Sequence, residues 1–553
     1  MFKTYLKIAL RNLWKNKVLS FINIIGLALG MAGATLLILN IQYEFNVDQF
    51  HKKKENIYKA YNRGEVNGKV EAWNVTPPPL APALKKDYPE IKEVTRVSGA
   101  EKLLRYGDKK IKVQGNFTDP SFLNMFSFPL VAGNTSNALD DAYSIVITDQ
   151  LANKLFGNDE AMNKIIRADN ADNFIVKGVL KDLPYNTKFK FEFLLPWEYL
   201  KAKGIENASW NNAYASTFVE LQPSSNIDAV NNKISNVISR QTNSDAKIEI
   251  FLHPLSKEHL QNRFENGVAT GGNIDNLYML AILAGIILLI ACINFMNLST
   301  ARSEKRAREV GVRKVMGAVK RSLVLQFLSE SILLALIAGV IAFGIVLLLL
   351  PLFSSLANVH LIIPYTSGVF WLLATCFILF TGILAGSYPA FYLSSFAPVK
   401  VLKGVLKNGN ALVTPRKILV ILQFVLSIFL INFTILFQKQ INHSQNREIG
   451  YVKENLIFHP MTDDLRKNYS LVKNELINTG AALFVSQSST PITRGNSQIT
   501  GLKWEGMDLN ANVGFEYVST TGDFIKTNGL KLIAGRDINV ALFSNRYSVL
   551  YDQ

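Results

Sequence analysis

ARSEKRAREVGVRKVMGAVKR, residues 301–321, is a short basic block set between two long apolar runs. It carries eight Lys/Arg and two Glu, a net of +6. The run before it, Leu277 to Leu298, and the run after it, Ser331 to Phe353, contain no charged residue. Three more such runs occur: Val18 to Ile41, Val369 to Ala390 and Ile418 to Phe437. Each can cross a bilayer core of about 30 Å at about 1.5 Å per residue. Core helices of soluble proteins rarely run past about 20 residues without a charge. The chain therefore reads as an α-helical multi-pass membrane protein with five spans.

The net charge of +16 is concentrated at the membrane flanks. Met1 to Lys17 has five basic residues and no acid, and Tyr392 to Lys417 has five (Lys400, Lys403, Lys407, Arg416, Lys417) and no acid. With the +6 of the 301–321 block, these three segments equal the whole excess. Residues 42–275 carry 29 basic and 29 acidic residues and are neutral. Because positive loops stay in the cytoplasm, the N-terminus is expected inside, and 42–275 and the tail after the fifth span outside. A nucleic-acid partner is excluded by this distribution, since the positive charge flanks membrane. The first apolar run is too long for the h-region of a cleaved signal peptide, so an uncleaved anchor is expected. Both cysteines, Cys292 and Cys376, fall inside spans, so the outer segments must be stable without disulfides.

The expected organisation is an amphipathic interfacial helix at 1–17 and a first span at 18–41. An extracytoplasmic α+β domain at 42–275 follows, then a second span at 276–300 and the cytoplasmic loop at 301–321. Spans three and four take 322–353 and 368–391. A linker at 392–417, a fifth span at 418–437 and a second, partial α+β domain at 438–553 complete the chain. In the amphipathic helix Phe2, Tyr5, Leu6, Ala9 and Leu13 share one face and Lys3, Lys7, Arg11 and Lys15 another, a pattern suited to the lipid interface. YEFNVDQFHKKKENIYKAY (43–61) continues in helical period. Alternating runs at Lys110 to Gln114, Ser144 to Thr148 and Asn173 to Val179 read as strands, and Asp149 to Phe156 as a helix.

An internal repeat is present. TDPSFLNMFSFPLVAGN (118–134) aligns without gaps to TTGDFIKTNGLKLIAGR (520–536), with five of 17 positions identical. YSIVITDQ (143–150) is echoed by YSVLYDQ (547–553), and the basic flank and span at Lys17 by Arg416, Lys417 and the fifth span. The expectation is one complete unit followed by the start of a second, with residues 439–553 poorly ordered alone.

No GxxxxGK[ST] phosphate loop, HExxH or paired CxxC occurs, so no catalytic, metal or cofactor residue is assigned. Gly26, Gly30 and Ala34, and likewise Gly382, Gly386 and Ala390, recur at four-residue spacing and permit close helix approach, within one chain or between two copies. Glu330 is an acid in the first turns of the third span, a candidate site by its cost in lipid; it could snorkel or pair with a basic loop residue. In the 301–321 block, Glu304/Arg308 and Glu309/Arg313 form i,i+4 pairs of favourable polarity, and Gly317 can cap a helix. A short docking helix is expected, with Val310, Val312, Val315 and Met316 as apolar contacts. Glu309 and Arg313 are expected both to hold it and to meet a partner.

EKRAREVGVRKVMGA (304–318) resembles the cytoplasmic loop of FtsX-like, MacB-like ABC transporter permeases. Glu309, Val310, Gly311, Val312, Arg313, Lys314, Gly317 and Ala318 stand in that family's E-[IV]-G-[IV]-R-K-x-x-G-A pattern. LAGSYPAFYLSSFAPVKVLKG (384–404) resembles the family's fourth span and basic exit, and DQFHKKKENIYK (48–59) the motif after the first span in the tandem-unit subgroup. FLNMFSFPLVAGN resembles the periplasmic core domain, with Asn134 where Arg is usual; Arg536 keeps it in the second copy. The resemblance implies a permease of the bacterial inner membrane. A cytoplasmic ABC ATPase would bind both the ATP and the 301–318 helix, and this chain would hold no cofactor. It implies membrane lipid as surroundings, a homodimer or a pseudo-dimer of tandem units, and an export function with a periplasmic adaptor and outer-membrane channel. The alternative it carries is a regulator of an extracytoplasmic cell-wall hydrolase. The family's tandem form has eight spans, so truncation in the second unit is also expected.

Overall fold

The computed structural model describes residues 17–537, apart from 67, 243–247, 302, 396–413, 448, 495–497, 500, 501, 503 and 508–512. The proposed amphipathic helix, most of the 392–417 linker and the YSVLYDQ echo lie outside the described residues. The chain divides into a helical unit, Met1–Asn46 with Ile274–Gln445, and an α+β unit, Val47–Asn273 with Asn446–Gln553.

Among the described residues five helices are long and apolar enough to cross a membrane. They run over Lys17–Phe45, Asn273–Thr300, Lys320–Ala357, Gly368–Ser394 and Thr414–Asn446, each longer than its charge-free core. We refer to them as spans 1 to 5. Their extra turns are polar or interfacial residues that continue the helical hydrogen bonding past the apolar stretch. Leu27, Ala28, Met31 and Ala34 of span 1 share a core with Ala284, Leu288 and Ala291 of span 2 and Ala335, Ala338 and Ala342 of span 3. Alanine predominates in this core because small side chains let helix backbones approach in lipid. Span 3 ends at Asn358 in the left-handed conformation, its N–H capping Ser354 and Ser355 carbonyls.

In the α+β unit the strands are β1 (Ile57–Val66), β2 (Lys69–Trp73), β3 (Ile91–Tyr106), β4 (Lys109–Thr118), β5 (Leu130–Gly133) and β6 (Ser144–Thr148). They continue with β7 (Ile165–Ala168), β8 (Asp172–Leu180), β9 (Phe193–Pro196), β10 (Ser216–Leu221) and β11 (Glu249–Pro254). They form one mixed sheet in the order β11-β1-β10-β3-β4-β9-β6-β8-β5, with β2 on β1 and β7 bridging β3 and β8. The three strand runs read from alternation fall in β4, β6 and β8, and the helix Asp149–Phe156 forms with the expected bounds, capped by Thr148 Oγ1 accepting from Leu151 N–H. Three apolar clusters cover the sheet. Ile145, Ile147, Phe174, Phe193 and Trp197 lie in one; Ile57, Phe122, Phe126, Phe128 and Phe191 in the second; Leu80, Leu84, Val219, Ile234 and Leu252 in the third.

The helical continuation read for 43–61 does not hold. Span 1 ends at Phe45, turns follow through Asn56, and Ile57 begins β1. Asp48 adopts a left-handed φ of 56°, which a continuing helix forbids. The apolar positions Val47 and Phe50 that mimic helical period are there because this segment plugs into the domain, Phe50 packing on Phe128.

The repeat is structural as well as sequential. Thr118 pairs with Val97 in the first copy and Thr520 with Ser488 in the second. The N–H of Arg96 donates to Asp119 Oδ2 (2.7 Å), and at the equivalent place Gln487 N–H donates to Thr521 Oγ1 (2.9 Å). A short helix follows in both, Phe122–Met125 and Phe524–Asn528, and then a glycine of positive φ, Gly133 at 99° and Gly535 at 89°. The two copies differ in cover. Among the described residues of 446–537 only Thr490, Phe524, Ile525 and Asn528 are buried, whereas Phe122, Leu123 and Met125 lie in a continuous core.

Candidate functional site

The 301–321 block folds as expected into a helix, Ser303–Val315. The side chains of Glu304 and Arg308 lie outside what the structure describes. The remainder divides sharply by face. Val310 is buried, and it packs with Leu323 and Phe327 of span 3 and Ala390 and Leu393 of span 4. Gly311 is buried beside it. Arg313 Nη2 donates to Glu309 Oε1 (2.6 Å), the expected i,i+4 pair, and its Nη1 donates to Gln326 Oε1 of span 3 (2.6 Å). Lys314 Nζ donates to the Ser394 carbonyl (2.7 Å), the last residue of span 4. There the helix has unpaired carbonyls and the negative end of its dipole, which suit a cation.

Gly317 ends the helix at a φ of 94°. Its N–H bonds the Lys314 carbonyl and the Ala318 N–H the Arg313 carbonyl, which together make a Schellman cap. Ala318 packs on the same cluster as Val310. The C-terminal half of the helix is thus held along one face and at its end. Its other face is apolar and open: Val312, Val315, Met316 and Val319 are 48%, 65%, 83% and 66% exposed. Arg313 and Lys314 are turned toward the spans, so these four residues are the exposed apolar ones among the described side chains of the block.

Glu330 is buried, one turn beyond Gln326 on the same face of span 3. The two small-residue ladders serve packing within the chain. A Cβ on Gly26 would meet Asn294 Nδ2 at 3.2 Å, and one on Gly30 would overlap Ala291 of span 2; Ala34 lies in the same core. A Cβ on Gly382 would fall 2.9 Å from Ile332 Cα and one on Gly386 2.6 Å from Ser331 Cβ, both in span 3, and Ala390 joins the Val310 cluster. We expect Gly30→Leu to lower the unfolding midpoint of the detergent-solubilised chain, by about 1–3 kcal/mol of overpacking. Gly285→Leu, where a Cβ would meet nothing within 4 Å, should leave it unchanged. Equal midpoints for the two would exclude close packing at Gly30.

Sequence reading missed a buried charge cluster in the α+β unit. Glu258 is 6% exposed and accepts from Lys188 Nζ (2.5 Å), Lys59 Nζ (3.4 Å) and Tyr61 Oη (3.3 Å). Asp48, three residues past span 1, accepts from Thr187 Oγ1 (2.5 Å) and Lys188 N–H (3.2 Å). Burial pushes the Glu258 carboxyl up, but the charges and hydrogen bonds of Lys59 and Lys188 outweigh it and hold it down to about 2. Burial raises Asp48 against the pull of Thr187 and Lys188. The cluster joins the segment that follows span 1 to the segment that precedes span 2.

Residues 20–237 match the family model of the MacB-like periplasmic core domain and residues 281–398 that of the FtsX-like permease C-terminal domain. Pyoverdine export ATP-binding/permease protein PvdT of Pseudomonas savastanoi pv. phaseolicola (strain 1448A / Race 6) is 25% identical over 416 residues, covering 71% of this chain and 58% of that protein. The chain thus spans about three-fifths of the length of this relative. The "Uncharacterized ABC transporter permease YvrN" of Bacillus subtilis (strain 168) is 24% identical over 421 residues, 72% of this chain and 99% of that protein. The crystal structure of the periplasmic region of MacB from Actinobacillus actinomycetemcomitans superposes with a TM-score of 0.30 and 15% identity, covering 40% of this chain and 94% of that chain. The two family models flank and include the span, domain and connecting-helix motifs in the order found here, and the chain belongs to the FtsX-like, MacB-like ABC transporter permeases.

Proposed function

We propose that this chain is the membrane subunit of an ABC-type export machine, with ATP bound and hydrolysed by a separate cytoplasmic ATPase that docks on helix Ser303–Val315. The observation that carries this reading is the division of that helix into a clamped face and an open apolar one. A helix locked to spans 3 and 4 passes a displacement to them instead of absorbing it. In this reading the protein sits in the bacterial inner membrane with its N-terminus in the cytoplasm, as the charge distribution favours. Motion of the spans reaches the α+β domain through spans 1 and 2, which are its two covalent connections. A periplasmic adaptor and an outer-membrane channel complete the export path, and the repeated units act as halves of a pseudo-dimer.

The test is co-purification with the ATPase. Val315→Asp combined with Met316→Asp should abolish it while membrane insertion is retained, and Ile165→Asp, an exposed apolar position in β7, should not. Arg313→Ala with Lys314→Ala should weaken it by unseating the helix. Retention of the ATPase by the Val315/Met316 double variant would refute the docking assignment.

A further inference from the structure

In the first half of span 5 the described residues are covered along one stripe. Leu419, Val420, Gln423, Leu426, Ser427 and Leu430 are half-buried, at spacings of three and four, and every residue from 431 to 440 is exposed. At the centre of the stripe Gln423 Oε1 accepts a hydrogen bond from Asn297 Nδ2 of span 2 (3.2 Å). Gln423 also borders a cavity of about 410 Å³ with Gly26, Gly30, Ala291 and Asn294. Span 1 carries an amide too, Asn23. Asn23 is buried as well.

Two apolar helices in lipid gain no hydrophobic free energy by pairing, so small residues and interhelical polar contacts decide where they meet. An amide in hydrocarbon that loses its partner keeps its full desolvation cost. Ser427, one turn from Gln423 on the same stripe, leaves room for close approach. We propose that Asn297 and Gln423 form an amide lock that seats span 5 on span 2 of the same chain, with the 419–430 stripe as the contact surface. Span 2 leads out of the first α+β segment and span 5 leads into the second. The lock lies near the C-terminal end of span 2 and in the N-terminal half of span 5, so it pairs the ends of the two helices that are remote from the segments they connect to. This inference does not depend on the ATPase reading.

The two helices run in opposite directions, so counting outward from the Asn297–Gln423 contact places residue 430 opposite residue 290. The experiment uses the full chain in membranes, with Cys292→Ala and Cys376→Ala, an added protease site between 396 and 413, and the pair Ile290→Cys with Leu430→Cys. Oxidation should give a cross-link that still joins the two fragments after cleavage. Gln423→Leu should slow its formation about three- to tenfold, the loss of one interhelical hydrogen bond of about 0.6–1.5 kcal/mol. The exchange Asn297→Gln with Gln423→Asn keeps both amides and should restore the rate. Absence of the cross-link, a cross-link found only between chains, or an undiminished rate in Gln423→Leu would each overturn the lock. Gln423→Met serves as a second variant should Gln423→Leu fail to insert, with the same expectation.

Discussion

Glu258→Gln is expected to destabilise the α+β domain by about 3–5 kcal/mol, the cost of removing one partner from a buried ion pair. The carboxylate faces two lysines in a site from which it is 6% exposed. The two will not respond alike. Lys188 has a 36% exposed side chain and can turn its ammonium to water, whereas Lys59 is 11% exposed and cannot. Burial pushes the Lys59 ammonium down, and the Glu258 charge opposes that. Without Glu258, Lys59 must stay charged without a counter-ion, lose its proton, or drag β1 outward. Glu258→Gln combined with Lys59→Met should therefore recover most of the loss, and with Lys188→Met much less. The measurement is the denaturant midpoint followed by tryptophan fluorescence. An unchanged midpoint in Glu258→Gln would mean that the pairs contribute nothing. The pH signature is defined too. Glu258 has a depressed pKa in the fold, so its contribution is complete above the unfolded value of 4.5 and is lost as pH falls toward about 2.

This cluster also marks the limit of what the sequence made legible. The spans were readable because each is a local, charge-free run, and the connecting helix because its i,i+4 pair and capping glycine are local signals: Glu309 with Arg313, and Gly317 after the last turn. The direction of Arg313 was not readable, since Gln326 lies across a turn in the next helix. Glu258 meets Lys188 70 residues away and Lys59 199 residues away, and a single sequence holds nothing that joins them. The DQFHKKKENIYK motif could be noticed as a pattern, yet its role depends on contacts with four distant pieces of chain. Asp48 reaches Thr187, Gln49 the Ser256 carbonyl, His51 the Ser127 N–H and Lys53 Glu220. Helical period misled at 43–61 for the same reason: the apolar spacing there fits a tertiary socket, not a helix face.

That socket predicts a loss of stability that begins below the ordinary histidine value of 6.5. His51 is 1% exposed, between Phe126 and Phe128 at ring-centroid distances of 5.1 Å each. Its Nδ1 accepts from Ser127 N–H (3.1 Å), which places the proton of the neutral ring on Nε2, 3.9 Å from Asp48 Oδ1. Burial lowers its pKa to about 4 from 6.5. A depressed folded value means that the unfolded chain takes up the proton first. Stability is therefore complete above about pH 6.5 and is lost as pH falls toward 4. At pH 5 the loss is about 2 kcal/mol, from 1.36 kcal/mol per pH unit over the window already crossed. His253, also lowered by burial, acts in the same direction. Asp48, raised by burial, acts in the opposite one at the acid end, because the fold then takes its proton first. His51→Gln should flatten the fall between pH 7 and 5 while lowering the plateau at pH 7. If the parent and His51→Gln lose stability in parallel over that range, His51 is not the titrating group. If the fall tracks His51, the buried imidazole between Phe126 and Phe128 is the group whose protonation weakens the α+β domain in acid.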